Sequence, residues 1–167
     1  MNMIYKIYIH GGLMKSRNTL IFFLGGTLLL GFLSGLLSMN SAETYAAFIR
    51  PPLSPPGILF PIVWTVLYLL MGMSAFLVYE SKSSGSSQAL LVYAIQLGIN
   101  LLWPIFFFPL HLYLFSFIWL LLLLYFVILM TVLFYGISPL AAYLQIPYIL
   151  WTIFAGYLNL GVCILNK

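Results

Sequence analysis

Long apolar stretches alternate along this chain with short segments that are polar or rich in proline and glycine. A helix needs about 20 mainly apolar residues to cross a bilayer, so each stretch of this length predicts a membrane-spanning helix. The five predicted helices lie at about residues 20–38, 57–79, 89–108, 110–135 and 139–165. The pattern therefore predicts an all-α integral membrane protein, built as a bundle of five transmembrane helices.

The segment before the first apolar stretch differs from the rest of the chain. Residues 1–16 form an N-terminal extension, and Met14 followed by Lys15 is typical of a natural start. We interpret residues 1–13 as the product of an upstream start or an artificial extension and assign them no function. Residues 17–167 are predicted to form a single five-helix domain.

Prolines and small residues mark positions where helices begin, bend or approach each other. Ser138 and Pro139 predict a helix start, and Pro147 predicts a kink inside the last helix. Small residues spaced by four, from Gly31 to Gly35 and from Ala94 to Gly98, permit close helix contact. That contact lies either within one bundle or between two subunits.

Composition and charge limit the classes of partner. Hydrophobic residues make up 64% of the chain and charged residues 5%, whereas soluble domains carry roughly 25% charged residues. The net charge of +4 comes from only six basic and two acidic side chains, too few for a nucleic-acid surface. Basic residues on the N-terminal side predict a cytoplasmic N-terminus. We therefore expect the lipid bilayer, and no nucleic acid, as a partner.

Ionisable side chains are lacking deep inside the predicted helices. Glu43, Glu80 and Lys82 fall in the breaks, and His111 falls in the turn between the third and fourth helices. Proton-coupled transport, metal binding and acid–base or covalent catalysis all need such groups. The sequence therefore predicts no metal site and no conventional catalytic centre.

Aromatic rings and neutral polar groups recur at helical spacing on three of the helices. Residues three or four apart share a helix face. The positions are Trp64 and Tyr68 in the second helix, Gln96, Asn100 and Trp103 in the third, and Trp151, Ala155 and Asn159 in the fifth. The amides either join helices or contact a ligand. Together the three faces predict a site for a flat, mostly apolar ligand.

The same residues belong to motifs that run through three helices and the loop before the second. These motifs are Arg50-Pro51, Pro55-Pro56, Pro61, Trp64 and Leu67-Tyr68, then Gln96, Asn100 and Trp103-Pro104, then Ser138-Pro139, Pro147-Tyr148, Trp151 and Asn159. In order and spacing they resemble the TspO/MBR family, the translocator proteins and tryptophan-rich sensory proteins, once called peripheral-type benzodiazepine receptors. The resemblance covers about residues 17–166.

The resemblance implies a five-helix bundle, often a homodimer, whose pocket binds tetrapyrroles such as protoporphyrin IX and haem. It implies no obligatory cofactor, and in some members it extends to cholesterol and synthetic drugs. By motif position, Trp64 and Trp151 match pocket tryptophans, and Tyr68, Asn100 and Ala155 match neighbouring positions. Phe115 aligns with a pocket tryptophan of vertebrate members.

The resemblance also implies that residues 39–56 form a lid over the pocket mouth. Its residues of interest are Arg50, Pro51, Leu53, Pro55 and Pro56. Leu53 stands where members usually carry a tryptophan, so this lid lacks one ring. The vertebrate cholesterol motif near the C-terminus is also missing after Tyr157, which leaves a sterol-like ligand as a weaker expectation than a tetrapyrrole.

Four functions fit these residues. The first is a membrane-embedded binding protein for tetrapyrroles and similar flat ligands, acting in porphyrin sensing, sequestration or transfer. The second is an enzyme that degrades porphyrin with light and oxygen, with Trp64 and Trp151 as redox-active rings. The third is a transporter for lipid or porphyrin, and the fourth a structural subunit. We expect a bacterial plasma membrane, with the mitochondrial outer membrane as the alternative.

Overall fold

The computed structural model describes residues 3–38 and 41–166, with side chains described from Ser16 onward in those ranges. Every regular element in this part of the chain is a helix. In chain order the helices are α1 Met3–Leu37, α2 Ser41–Ala47, α3 Leu59–Glu80, α4 Ser86–Phe107, α5 Tyr113–Tyr135, α6 Pro139–Tyr143 and α7 Ile146–Leu165. The all-α fold class is confirmed.

Five segments are long and apolar enough to cross a membrane. They are Ser16–Leu37, Leu59–Glu80, Ser86–Phe107, Tyr113–Tyr135 and Pro139–Leu165. The five predicted spans are therefore confirmed, with ends that differ from the expected ones by about three residues or fewer, apart from the start of the first. There α1 continues back to Met3, well before residue 20.

The last span consists of two helices, α6 and α7, as the proline in it suggests. Ser138 caps α6, since its hydroxyl oxygen accepts a hydrogen bond from the backbone N–H of Ala141. The chain then turns at Leu144 and Gln145 before α7 begins at Ile146. Pro147 has no N–H to donate and its ring opposes a continuous helix, which explains the break.

The helices pack in a closed ring. Helix α1 contacts α3 and α4, α4 contacts α5, α5 contacts α6 and α7, and α3 closes the ring by contacting α6. Fully buried apolar side chains such as Met71, Val78, Val127, Met130 and Phe134 fill its centre. Large apolar side chains cover the outside, as the hydrocarbon of a bilayer requires.

Glycines show where helices approach most closely. A Cβ on Gly72 of α3 would lie 2.8 Å from the carbonyl oxygen of Phe23 in α1, and a Cβ on Gly31 would overlap the ring of Tyr68. A Cβ on Gly98 would meet nothing within 4 Å, and Ala94 beside it is exposed. Gly31 of α1 and Gly72 of α3 thus serve packing inside the bundle, whereas Gly35 of α1 and the small residues of α4 face outward.

Candidate functional site

Four side chains form a hydrogen-bonded chain in the middle of the bundle, which we call the polar network: Tyr68, Asn100, Tyr148 and Gln96. The Tyr68 hydroxyl donates to Asn100 Oδ1 at 2.8 Å, and Asn100 Nδ2 donates to the Tyr148 hydroxyl oxygen at 2.9 Å. Tyr148 in turn donates to Gln96 Oε1 at 3.0 Å. All four residues are buried, so the network joins α3, α4 and α7 out of reach of water.

The network explains why amides occur at these membrane positions. An amide in hydrocarbon must be bonded, and Asn100 uses both its oxygen and its nitrogen on tyrosines of two other helices. Gln96 Nε2 has only the weak acceptor sulfur of Met71, at 3.7 Å. The role as interhelical glue accounts for the contacts of Asn100. Gln96 keeps donor capacity that these contacts do not use.

Tyr148 is the member of the network that reasoning from spacing did not single out as a site residue. It is fully buried and is the sole member that contacts both amides. Its position three residues before Trp151 would have placed it on the same helix face.

The ring of Trp64 lies against two members of the network. It stacks on Tyr68 with ring centroids 5.6 Å apart, and meets Tyr148 edge-on at 6.3 Å. Trp64 itself is half-buried. The structure therefore brings together Trp64, Tyr68, Gln96 and Asn100, as the sequence predicts.

Trp151 lines an apolar groove between α3 and α7. The groove has a volume of about 420 Å³, and its walls are Ile62, Val63, Val66, Leu67, Pro147, Leu150, Trp151 and Phe154. The indole nitrogen of Trp151 is buried without a hydrogen-bond partner. Ala155, one turn further along α7, is buried as well. The groove is thus lined by apolar side chains.

The two remaining predicted ring positions, Trp103 and Phe115, lie in other aromatic clusters. Trp103 stacks on Phe107 at 5.2 Å, and its indole nitrogen donates to Asn159 Oδ1 at 3.5 Å. Phe115 is 44% exposed and contacts Phe106 at 5.0 Å. Among the described residues, no ring contact links either of them to Trp64. Both roles as ligand-binding residues stay predictions.

The predicted lid is described from Ser41 onward, and Met39 and Asn40 lie outside the described residues. It contains α2 and is fastened to the C-terminal end of α7. The backbone N–H of Ile49 donates to Asn166 Oδ1 at 2.9 Å, and Asn166 Nδ2 donates to the Ile49 carbonyl at 3.0 Å. The Tyr157 hydroxyl donates to the carbonyl of Pro52 at 2.8 Å. We call these three hydrogen bonds the lid latch.

Close packing between the lid and α7 accompanies the three hydrogen bonds of the latch. Pro51 is buried against Gly161, where a Cβ would come within 2.6 Å of the proline ring. At the other end of the segment, the Tyr45 hydroxyl donates to the carbonyl of the buried Pro55 at 2.7 Å. The Arg50 guanidinium lies 5.6 Å from the centre of the Tyr45 ring. The Pro51 contact holds the lid against α7, and the two Tyr45 contacts lie within the lid itself.

A line of rings connects the lid with the groove. Tyr45 in the lid contacts Phe60 at 5.0 Å, and Phe60 contacts Trp151 at 5.9 Å. Leu53 does not take part, because it is 83% exposed at the tip of a turn, and the neighbouring Pro56 is exposed too. The lid therefore reaches the groove through Tyr45 rather than through the Leu53 position.

The chemistry available at this site is ring stacking and neutral hydrogen bonding. Among residues with described side chains, no group of three or more His, Cys, Asp or Glu could hold a metal ion. His111 lies at the turn before α5, with Nδ1 2.9 Å from the Tyr113 hydroxyl.

Comparison with known proteins places these features in a family. The family model described as the TspO/MBR family matches residues 23–165, which include the polar network, the groove and the lid. The chain belongs to the TspO/MBR family. With its five apolar spans, this membership makes it an integral membrane protein.

Individual relatives cover most of the chain. The tryptophan-rich protein TspO of Chlorobaculum tepidum is 33% identical over 155 residues, 91% of this chain and 98% of its own length. Protein CrtK of Rhodobacter capsulatus is 35% identical over 124 residues, 73% of this chain and 78% of its own. The translocator protein homolog of Schizosaccharomyces pombe is 33% identical over 133 residues, 77% of this chain and 81% of its own. These relatives are thus similar to this TspO/MBR protein over most of its length and not just over one motif.

Proposed function

We propose that this TspO/MBR protein binds tetrapyrroles, such as protoporphyrin IX or haem, and similar flat apolar ligands in the membrane, and acts in their sensing, sequestration or transfer. The observation that carries the proposal is the stack of Trp64 on Tyr68 over the buried polar network. Flat rings beside neutral hydrogen-bonding groups suit a planar macrocycle with a few polar atoms. Relatives named tryptophan-rich protein and translocator protein homolog agree with such a role.

Each part of the site has a share in this proposal. Trp64 and Trp151 offer ring faces, and the apolar groove of about 420 Å³ beside Trp151 takes the hydrocarbon edge of the ligand. His111 stands apart at the α4–α5 turn, so we expect metal-free porphyrin, or haem held without a strong axial ligand.

Titration with protoporphyrin IX in detergent or lipid nanodiscs tests the proposal, with tryptophan quenching and porphyrin absorbance as readouts. Replacing Trp64 and Trp151 together by Phe reduces the stacked area, and we expect about tenfold weaker binding, or roughly 1.4 kcal/mol. Trp119→Phe is the matched control, because Trp119 packs on Phe106 and donates to the Ile99 carbonyl on another side of α4. Equal affinity in the double variant and the unaltered protein would overturn the stacking role.

A second candidate function is light- and oxygen-dependent porphyrin breakdown. The observation that favours it is the position of two half-buried tryptophans, Trp64 and Trp151, at the site. Excited porphyrin and oxygen would carry the chemistry, while the protein orients the macrocycle. Illumination of the complex should give a product with a spectrum different from that of photobleached free porphyrin, and only with both tryptophans intact. A complex indifferent to light would leave binding alone.

We further propose a homodimer that uses the outward face of α4. Ala94 and Gly98 are exposed there, one turn apart, and small residues allow two helices to approach closely in lipid. A bacterial plasma membrane with a cytoplasmic N-terminus is the proposed location. Accessibility of an N-terminal label in intact and opened cells would test the orientation.

A further inference from the structure

Gln145 is a buried amide for which the protein supplies no partner. The side chain is 0% exposed, and neither Oε1 nor Nε2 has a hydrogen-bond partner among the described residues. The chain has three glutamines, and the other two differ from it. Gln88 is exposed in the first turn of α4, and Gln96 is bonded within the polar network. Burying an amide without a hydrogen bond to replace those it makes with water opposes folding. We therefore expect the Gln145 amide to have a hydrogen-bond partner.

The position of Gln145 at the break between α6 and α7 narrows the choice of that partner. Its backbone is satisfied, since its N–H donates to the Ala142 carbonyl at 2.9 Å and its C=O accepts from Ile149 at 3.0 Å. The Ala141 carbonyl accepts the hydroxyl of Ser74 from α3, so this neighbouring group is taken as well. The unused hydrogen-bonding capacity of Gln145 therefore lies in its side-chain amide and not in its backbone.

The surroundings require a neutral partner. Helices α5, α6 and α7 contain no charged residue, and the one in α3 is Glu80 at its last position. The partner must accept a hydrogen bond from Nε2 and donate one to Oε1. Buried waters in proteins do both, and they occur next to polar groups that have no other partner.

We propose that Gln145 binds a buried water molecule at the α6–α7 break. Gln145 precedes Tyr148 by three residues, so the site lies about one helical turn from Tyr148, a member of the polar network. The hydrogen-bonding interior of the bundle then extends from Tyr68 down to the start of α7. This site does not depend on the tetrapyrrole proposal, because no porphyrin contact enters the argument.

Glutamine-to-methionine substitutions distinguish a hydrated amide from an empty one. Methionine keeps the length of the side chain and removes both polar atoms. If Gln145 holds a water, Gln145→Met strips that water of its partner, and the thermal midpoint should fall by about 3 °C. If the amide is unpaired, the same substitution removes its desolvation cost, and the midpoint should rise. An unchanged or higher midpoint therefore overturns the proposal.

The same substitution at the other two glutamines serves as a control for the change in thermal midpoint. Gln88→Met should leave the midpoint unchanged because its amide is exposed, and Gln96→Met should lower it because the Tyr148 hydroxyl loses its acceptor. If Gln145→Met fails to fold, NMR of the unaltered protein provides a second, independent test. With only three glutamine amides to assign, NMR in nanodiscs should show a nuclear Overhauser effect from long-lived water to the Gln145 NH₂ group. Its absence overturns the proposal.

Discussion

Asn100 has the most consequential hydrogen bonds of any single residue in the bundle. Its amide is the one group that bonds both Tyr68 and Tyr148, so that three helices depend on one side chain. Gln96 contributes one strong bond to the same network, and its nitrogen makes only a weak contact with sulfur. The two amides look equivalent in the sequence, yet their structural roles differ.

Replacing Asn100 by Leu should destabilise the protein by about 1–3 kcal/mol, because two buried tyrosine hydroxyls lose a partner each. Thermal unfolding in detergent measures the effect. Asn18→Leu is the control, since Asn18 is exposed on α1. An Asn100→Leu protein as stable as the control would show that the network does not hold the helices together.

Leu53 gives a prediction about backbone conformation. Its φ of 65° lies in the left-handed region, which costs a leucine of the order of 1 kcal/mol and which asparagine tolerates better. Leu53→Asn should therefore stabilise the lid, whereas the β-branched Leu53→Ile should destabilise it. The hydrogen-exchange rate of the Ile49 amide measures lid opening in both variants. Identical exchange would mean that the turn is not strained at this position.

At the residue scale, the sequence predicts which side chains lie on the same side of one helix. It does not predict which side chains of different helices contact each other. A spacing of four residues places Trp64 with Tyr68 and Gln96 with Asn100, and the structure keeps both pairs together. That Tyr148 stands opposite Asn100 depends on the axial position of α7 relative to α4. Periodicity within one helix contains no information on that shift, so Tyr148 was missed.

At the scale of elements, the lid is bound to α7 by hydrogen bonds and by close packing. Helix α2 and the turn at Pro52 are short, and the side chains of Asn166 and Tyr157 bind the backbone of Ile49 and Pro52 to α7. Pro51 fits against Gly161 because that position of α7 has no side chain. The lid is therefore positioned by α7, and by the contacts of the Phe48 ring with Phe107 of α4 and Tyr113 of α5, rather than by its own secondary structure.

Asn166→Ala removes both hydrogen bonds that hold Ile49. At about 1 kcal/mol each, their loss should accelerate hydrogen exchange of the Ile49 amide by roughly 30-fold. Asn18→Ala, at an exposed asparagine of α1, serves as the matched control. Exchange that stays slow in Asn166→Ala would mean that the packing of Pro51 on Gly161 holds the lid without the latch.

The elements were predictable to different degrees for physical reasons. Each spanning helix has its own apolar signal, because the bilayer demands about 20 such residues. Helix α2 has seven residues and no buried side chain, so no periodic signal marks it. Pro147 marks the position of the break before α7. The sequence alone does not distinguish a kink in one helix from two separate helices.

For the whole molecule, neutral hydrogen bonds between helices replace the hydrophobic attraction that lipid cannot provide. Thr27 and Ser34 of α1 bond to Tyr93 and to the Leu101 carbonyl of α4. Trp119 of α5 bonds to the Ile99 carbonyl of α4, and Asn159 of α7 bonds to the Tyr113 carbonyl of α5. The sequence predicted the bundle as a whole, whereas these pairings follow from the order of helices around the ring.

The proposed homodimer gives a prediction at the same scale. Gly98→Phe fills the outward face of α4 without an internal clash, since nothing lies within 4 Å of a Cβ there. We expect it to convert a dimer into a folded monomer, as measured by cross-linking in membranes and by light scattering in detergent. Val132→Phe, at a position of α5 that is 64% exposed, is the control. A dimer that survives Gly98→Phe would place the interface elsewhere.

The lid latch also constrains how the protein is made. Ile49 and Asn166 are 117 residues apart in sequence, so the latch can form only after the last membrane helix has been synthesised and inserted. Chains emerge from the ribosome N-terminal part first. Throughout translation the growing chain therefore carries a first loop without its latch. Formation of the latch thus becomes a late step of biogenesis that requires the completed last helix.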